Sequence, residues 1–193
     1  MKIIIIVCMF FFSSFSDEHL LFNKPAPLFI PEEGMAEVKY TGNVTLVNFM
    51  YIGCRPCMAE IKTLNHLYDE FKNEVTFIGI ASQTRKQLNA FLSEDKSIFM
   101  TIREDLKAEK PIYPIYAECS EERKNKNDDA THRTLGPECH TVSDKFSVDG
   151  YPYTFLIDKK GTVRYVQFGF PMDENDSLFY KKIKSEISKL INE

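Results

Sequence analysis

Cys54-Arg55-Pro56-Cys57 places two thiols three positions apart, a spacing at which one sulfur can attack a partner and the other can displace it. A C-x-x-C by itself says little, and its neighbours carry the argument. The pair follows a near-continuous apolar run, Val44 to Met50, and opens a stretch whose apolar residues recur at helical spacing. Cys54 is therefore expected at a helix N-terminus, where unpaired N–H groups and the positive end of the helix dipole stabilise a thiolate and lower its pKa. This makes Cys54 the expected nucleophile. Arg55 adds positive charge beside it, and Pro56 suits a first turn because its missing N–H would have had no partner there. Cys57, one turn inward, can attack a mixed disulfide on Cys54 and release the partner reduced. Two other readings use the same residues: a stable staple at the helix start, or half of a zinc site completed by Cys119, His132, Cys139 and His140.

The elements that must position this pair follow from periodicity. Val44 to Met50 and Val75 to Ala81 read as strands covered on both faces. Between them, Arg55 to Lys72 sets Met58, Ile61, Leu64, Leu67, Tyr68 and Phe71 on one helical stripe. Arg85 to Leu92 reads as a helix and Ile98 to Ile102 as a short third strand, and strands alternating with helices imply a parallel sheet core. From Lys110 to His140 the apolar period fades among charged residues, which reads as a long loop or insertion. Tyr153 to Ile157 and Thr162 to Phe168, joined by Asp158-Lys159-Lys160-Gly161, read as a β-hairpin. An amphipathic helix, carrying Leu178, Ile183, Ile187, Leu190 and Ile191, is expected from about Asp173 to Ile191. Residues 17–37 hold three prolines and read as an extended lead-in, with one short strand at Ala36 to Tyr40.

The 193 residues, 44% hydrophobic and 27% charged with a net charge of −4, exclude a disordered, collagenous or multi-span chain. Without a long basic run there is no footprint for nucleic acid. Residues 1–16 have the pattern of an export signal: Lys2, an apolar run from Ile3 to Phe12, then small residues with cleavage expected after Ser16. The run is too short to span a bilayer. Cys8 lies inside it after Val7, a poor context for lipidation. An oxidising, extracytoplasmic compartment such as the periplasm follows, and there the mature chain keeps four cysteines. A structural disulfide between Cys119 and Cys139 is the leading reading of the second pair. A redox relay to Cys54, a metal site with His132 and His140, and free thiols remain as alternatives. Glu60, three residues after Cys57, falls on the same side of the helix as that thiol, or is a solvated first-turn acid favoured by the dipole. His19 and His66 read as solvated or helix-surface residues without a role.

The stretch VNFMYIGCRPCMAE, the Gly150-Tyr151-Pro152 step leading into TFLIDKKGTV, and Gly169 after the hairpin resemble the TlpA/ResA-like thiol-disulfide oxidoreductases of the thioredoxin superfamily. The resemblance covers roughly Val38 to Glu193. It implies an α/β thioredoxin-like fold over 38–193, a central mixed sheet flanked by helices, with an insertion at about 110–141 before the cis-proline strand. It further implies that Pro152 is cis and lies against the disulfide, with Tyr151 before it; the alternative is a trans proline at a strand entry. Glu60 would tune proton transfers of the inner thiol. Asn48 stands where cytosolic thioredoxins have a buried Asp, which shifts that task toward Glu60. No cofactor is implied, and the partners would be protein thiols and disulfides, with a membrane thiol donor as electron source. The oligomeric state is left open. The family usually has Trp before the first cysteine and after the strand Phe, where this chain has Gly53 and Met50 and no Trp anywhere.

Two rivals share the scaffold. A thiol peroxidase would place Thr three residues before its reactive cysteine, where Tyr51 stands. A metal-delivery protein would space its cysteines by three intervening residues and add a distant His.

Overall fold

Val44–Met50 forms β1, with all seven residues buried, because an apolar, β-branched run covered on both faces needs no polar alternation. It pairs in parallel with β2, Val75–Thr84, from Val44 opposite Val75 to Met50 opposite Ala81. On its other side it pairs antiparallel with β4, Tyr153–Ile157. β3, Ile115–Cys119, lies parallel to β2, and β5, Val163–Phe168, lies antiparallel to β4. Among the described residues the sheet order is β3-β2-β1-β4-β5, a mixed sheet. This computed structural model describes residues 19–94, 97–119, 139–171 and 176–193. The expected leader over 1–16, with Cys8 and the Ser16 cleavage point, lies outside them, as does His132.

Four helices complete the described residues: α1 Arg55–Phe71, α2 Arg85–Leu92, α3 Ile98–Asp105 and α4 Asp176–Asn192. Leu64, Leu67 and Phe71 of α1 meet Ile183, Ile187 and Leu190 of α4 over Leu46, Phe77 and Leu156 of the sheet. A second cluster, of Val47, Phe49, Ile80 and Phe155, is covered by Ala26, Phe29, Val142 and Phe146, with no helix among its buried residues. A third joins Cys54, Cys57 and Met58 to Leu88 and Phe91 of α2 and to Ala117 of β3. The Cys54–Cys57 pair therefore sits in core packing.

Several expectations are corrected. Ile98 to Ile102 is helix α3, because Ser97 caps it, accepting from the Met100 N–H at 3.1 Å, and a short apolar run cannot by itself tell strand from helix. The edge strand lies instead at Ile115–Cys119, inside the stretch assigned to a loop and insertion at 110–141. Pro111 and Pro114 obscured that strand, and pairing with β2 holds it. Residues 36–40 form no strand; Val38 makes a backbone bond to Phe29 at 2.8 Å, and the lead-in packs into the core through Ala26 and Phe29. Leu178, assigned to the buried stripe of the last helix, is 59% exposed. His19 is not solvated: its ring stands edge-on to Phe155 at 5.1 Å, and burial lowers its pKa.

Candidate functional site

Gly53, at φ +99°, turns the chain out of β1 in a conformation that side-chain-bearing residues rarely adopt. Cys54 then serves as the N-cap of α1, and its sulfur accepts the Cys57 N–H at 3.2 Å. Pro56 occupies the first turn. The two sulfurs are joined in a disulfide whose Cα atoms lie 5.2 Å apart. Cys54 is 5% exposed and Cys57 1%, so Cys54 is the more accessible residue of a largely covered pair. Arg55 is exposed on the outer side of the turn.

The Tyr151-Pro152 peptide bond is cis. Tyr151 packs against the cluster containing both cysteines, and its ring meets Tyr51 edge-on at 5.5 Å. The Pro152 carbonyl accepts the Gly169 N–H at 2.8 Å. A Cβ at Gly150 would lie 2.8 Å from the Phe168 ring, so a side chain there would have to push that exposed ring aside. The Phe168 ring reaches Gly150, and Leu178 lines a groove with Phe168 and Gly169; at 57% and 59% exposure, Phe168 and Leu178 give this end of the sheet an apolar flank.

Glu60 is 1% exposed, which removes the reading of it as a solvated acid. Asn48 donates to one carboxyl oxygen at 2.9 Å and Thr154 to the other at 3.0 Å. Asn48 also reaches the Thr154 hydroxyl at 3.0 Å. Burial pushes the Glu60 pKa up to about 7, against the smaller lowering effect of the Asn48 and Thr154 bonds.

Four contributors escaped the sequence reading. Ser82 and Gln83 lie on the extension of β2 beyond Ala81, and Gln83 accepts the Ile52 N–H at 3.0 Å, holding the turn that leads to Cys54. Thr154 and Glu118 are buried strand residues. The available signal was two polar residues directly after the apolar VTFIGIA run, where a strand that continues must satisfy them.

Cys119, at the end of β3, is disulfide-bonded to Cys139. His140, the residue after Cys139, stands 3.4 Å from the Ser143 hydroxyl. Among the described residues no three His, Cys, Asp or Glu gather as a metal site, and no helix is long and apolar enough to cross a membrane. Replacing Cys119 and Cys139 together by serine is expected to cost about 3 kcal/mol of stability, from the entropy of closing a loop of roughly 20 residues. Chemical denaturation of the double variant beside the parent checks this, and an unchanged midpoint would show that the bridge contributes nothing.

No curated protein matches the chain. Solved structures resemble it in fold. A provisionally assigned thiol:disulfide interchange protein, DsbE, from Chlorobium tepidum aligns at TM-score 0.57 and 18% identity, over 88% of this chain and 97% of that one. A thiol:disulfide interchange protein from Bacteroides sp. aligns at TM-score 0.52 and 17% identity, over 86% and 90%. The thioredoxin domain of a thiol-disulfide oxidoreductase from Bacteroides vulgatus aligns at TM-score 0.51 and 17% identity, over 87% and 99%. The fold is thus thioredoxin-like, and the AhpC/TSA family matches residues 30–166, which span the Cys54–Cys57 turn, the cis-proline step and most of the sheet. The chain belongs to the AhpC/TSA family.

Proposed function

We propose that this protein is an exported dithiol-disulfide oxidoreductase that reduces disulfides in other proteins. The observation that carries the reading is the Cys54–Cys57 disulfide at the head of α1, with the Cys54 sulfur as helix cap. In the reduced protein the Cys54 thiolate attacks one sulfur of a partner disulfide, forming a mixed disulfide and expelling the other partner sulfur as a thiolate. Cys57, deprotonated, then attacks the Cys54 sulfur. This closes the Cys54–Cys57 disulfide and releases the second partner thiolate, so two electrons pass to the partner. A membrane thiol donor would return them. Glu60 takes the Cys57 proton, and the Tyr151-Pro152 step with the apolar flank of Phe168 and Leu178 receives the partner chain. No cofactor enters the cycle. Export rests on the leader pattern of residues 1–16 and on the second disulfide, Cys119–Cys139, which suits an oxidising compartment; in this reading that bridge is structural. The interchange proteins with the same fold support the activity class.

The AhpC/TSA match favours a second reading. As a thiol peroxidase, Cys54 would be oxidised by a peroxide to the sulfenic acid with release of an alcohol or water. Cys57 would then condense with it, losing water. One assay separates the two: the protein, with dithiothreitol as electron source, is given insulin or hydrogen peroxide. Insulin is expected to precipitate as its chains separate, while peroxide disappears no faster than in the reductant alone. Rapid peroxide consumption with inert insulin would reverse the assignment.

A further inference from the structure

Glu118 is a buried acid, 6% exposed, that no step of the proposed cycle uses. One carboxyl oxygen accepts the Val142 N–H at 2.8 Å, the Ser143 N–H at 2.6 Å and the Ser143 hydroxyl at 2.7 Å. The other accepts the Ser82 hydroxyl at 3.2 Å. Ser82 is 0% exposed, and its oxygen lies 2.5 Å from the Tyr151 hydroxyl. A serine hydroxyl carries one hydrogen. Since Ser82 gives that hydrogen to Glu118, the Tyr151 hydroxyl must donate to Ser82. The bonds therefore run in one direction, from Tyr151 through Ser82 to Glu118.

The far end of this chain is the residue before the cis-proline, whose ring packs on the cluster holding Cys54 and Cys57. The near end is fixed on three sides. Glu118 lies in β3, its neighbour Cys119 is bonded to Cys139, and the turn at 142–143 closes over the carboxylate through three hydrogen bonds. Tyr151 also has a side-chain hydrogen bond to Ser143, whose hydroxyl donates to the same Glu118 carboxyl, so Glu118 fixes both hydroxyls that hold the Tyr151 ring, and its edge contact with Tyr51 and packing do the rest.

We propose that Glu118, acting through Ser82, is a positioning residue that pins Tyr151 over the Cys54–Cys57 disulfide, and that the pinned Tyr151 ring determines which thiols reach Cys54. This deepens the exchange function proposed above and rests on it. A small thiol passes the ring, whereas a bulky one gains access only by seating against it in the right geometry. The device selects partners by shape without changing the charge beside the sulfurs.

The test uses the oxidised protein and two monothiols, 2-mercaptoethanol and glutathione. Opening of Cys54–Cys57 is followed by acid quench, alkylation and mass analysis, which separates it from Cys119–Cys139. Ser82→Ala and Tyr151→Phe are each expected to raise the glutathione rate relative to the 2-mercaptoethanol rate about tenfold, the factor to which the net worth of one hydrogen bond corresponds. The double variant should show no more than Tyr151→Phe alone, because Ser82→Ala removes a link that the loss of the Tyr151 hydroxyl has already removed. Ser82→Thr, which keeps the hydroxyl, should return the parent ratio. Glu118→Gln, whose amide nitrogen would face Ser82 and reverse the direction of the bonds, should give a smaller rise. An unchanged ratio, rates that rise together for both thiols, or effects that add in the double variant would overturn the proposal. Insulin turnover by the parent protein decides the exchange function separately, since disulfide opening by added thiols does not require it.

Discussion

With Cys57 replaced by serine, the protein is expected to stop at the mixed disulfide. Cys54 still caps α1 and can attack, but no second sulfur remains to displace the partner. Insulin turnover should fall by at least roughly a thousandfold, the scale on which loss of one member of a catalytic pair falls, while a covalent adduct on Cys54 accumulates and dissolves on adding reductant. Cys54→Ser should lose turnover equally and form no adduct. The asymmetry follows from position. The Cys54 sulfur receives an N–H from the first turn at 3.2 Å and is the more exposed of the pair, whereas Cys57 is sealed one turn further in. In the reduced parent, iodoacetamide at mildly acidic pH should label Cys54 first, because its thiolate persists below the free cysteine pKa of about 8.5. Labelling of Cys57 first, or turnover by Cys57→Ser at the parent rate, would remove the two-sulfur mechanism.

How much of this was readable beforehand depended on what kind of signal each residue left. β1 and α2 have the bounds expected from their periodicity, because a run buried on both faces and an amphipathic stripe each leave a local pattern. α2 is also closed by a capping box between Thr84 and Gln87, a device that is local in sequence. α3 and β3 were misplaced because their identity is decided elsewhere, by the Ser97 cap and by pairing with β2, while two prolines made the region before β3 look like loop.

The same division runs through the site. Cys54, Cys57 and Pro152 sit in short motifs, and a motif survives without knowledge of the fold. Spacing set Glu60 on one side of its helix with Cys57, but its burial was undecidable, because what covers it is Asn48 from β1 and Thr154 from β4, the latter 94 residues away. Within the Glu118–Ser82–Tyr151 chain, Ser82 left a local signal, as a polar residue directly after an apolar strand run, and nothing local linked it to the other two. Its three members are separated by 36 and 69 positions, and only the sheet order β3-β2-β1-β4 brings them to one end of the molecule.

Glu60 should give the protein a pH signature that its glutamine variant lacks. Its carboxyl has a pKa raised from 4.5 to about 7, chiefly by burial. Between these values the folded protein holds a proton that the unfolded chain has released, so stability falls as pH rises from about 4.5 through about 7, then levels. The raised pKa corresponds to about 3 kcal/mol over that window. Asn48 and Thr154 contact the carboxyl directly, and Tyr113 and Tyr165 are the titratable groups that sense it. His19, whose pKa is lowered, contributes the opposite slope, so the quantity to read is the difference between parent and Glu60→Gln. Measured on the oxidised protein, where neither sulfur of the pair titrates, that difference should change across pH 5 to 8 by about 3 kcal/mol in favour of the variant at the alkaline end. The kinetic consequence has the opposite sense. Closure of Cys54–Cys57 needs an acceptor for the Cys57 proton, and Glu60 becomes one only as pH passes about 7. Glu60→Gln should therefore slow release of the mixed disulfide by about a hundredfold and erase the rise in rate through neutral pH. A variant that loses the stability slope but keeps the kinetic limb would show that Glu60 is a buried acid of the core, and that the Cys57 proton leaves by another route.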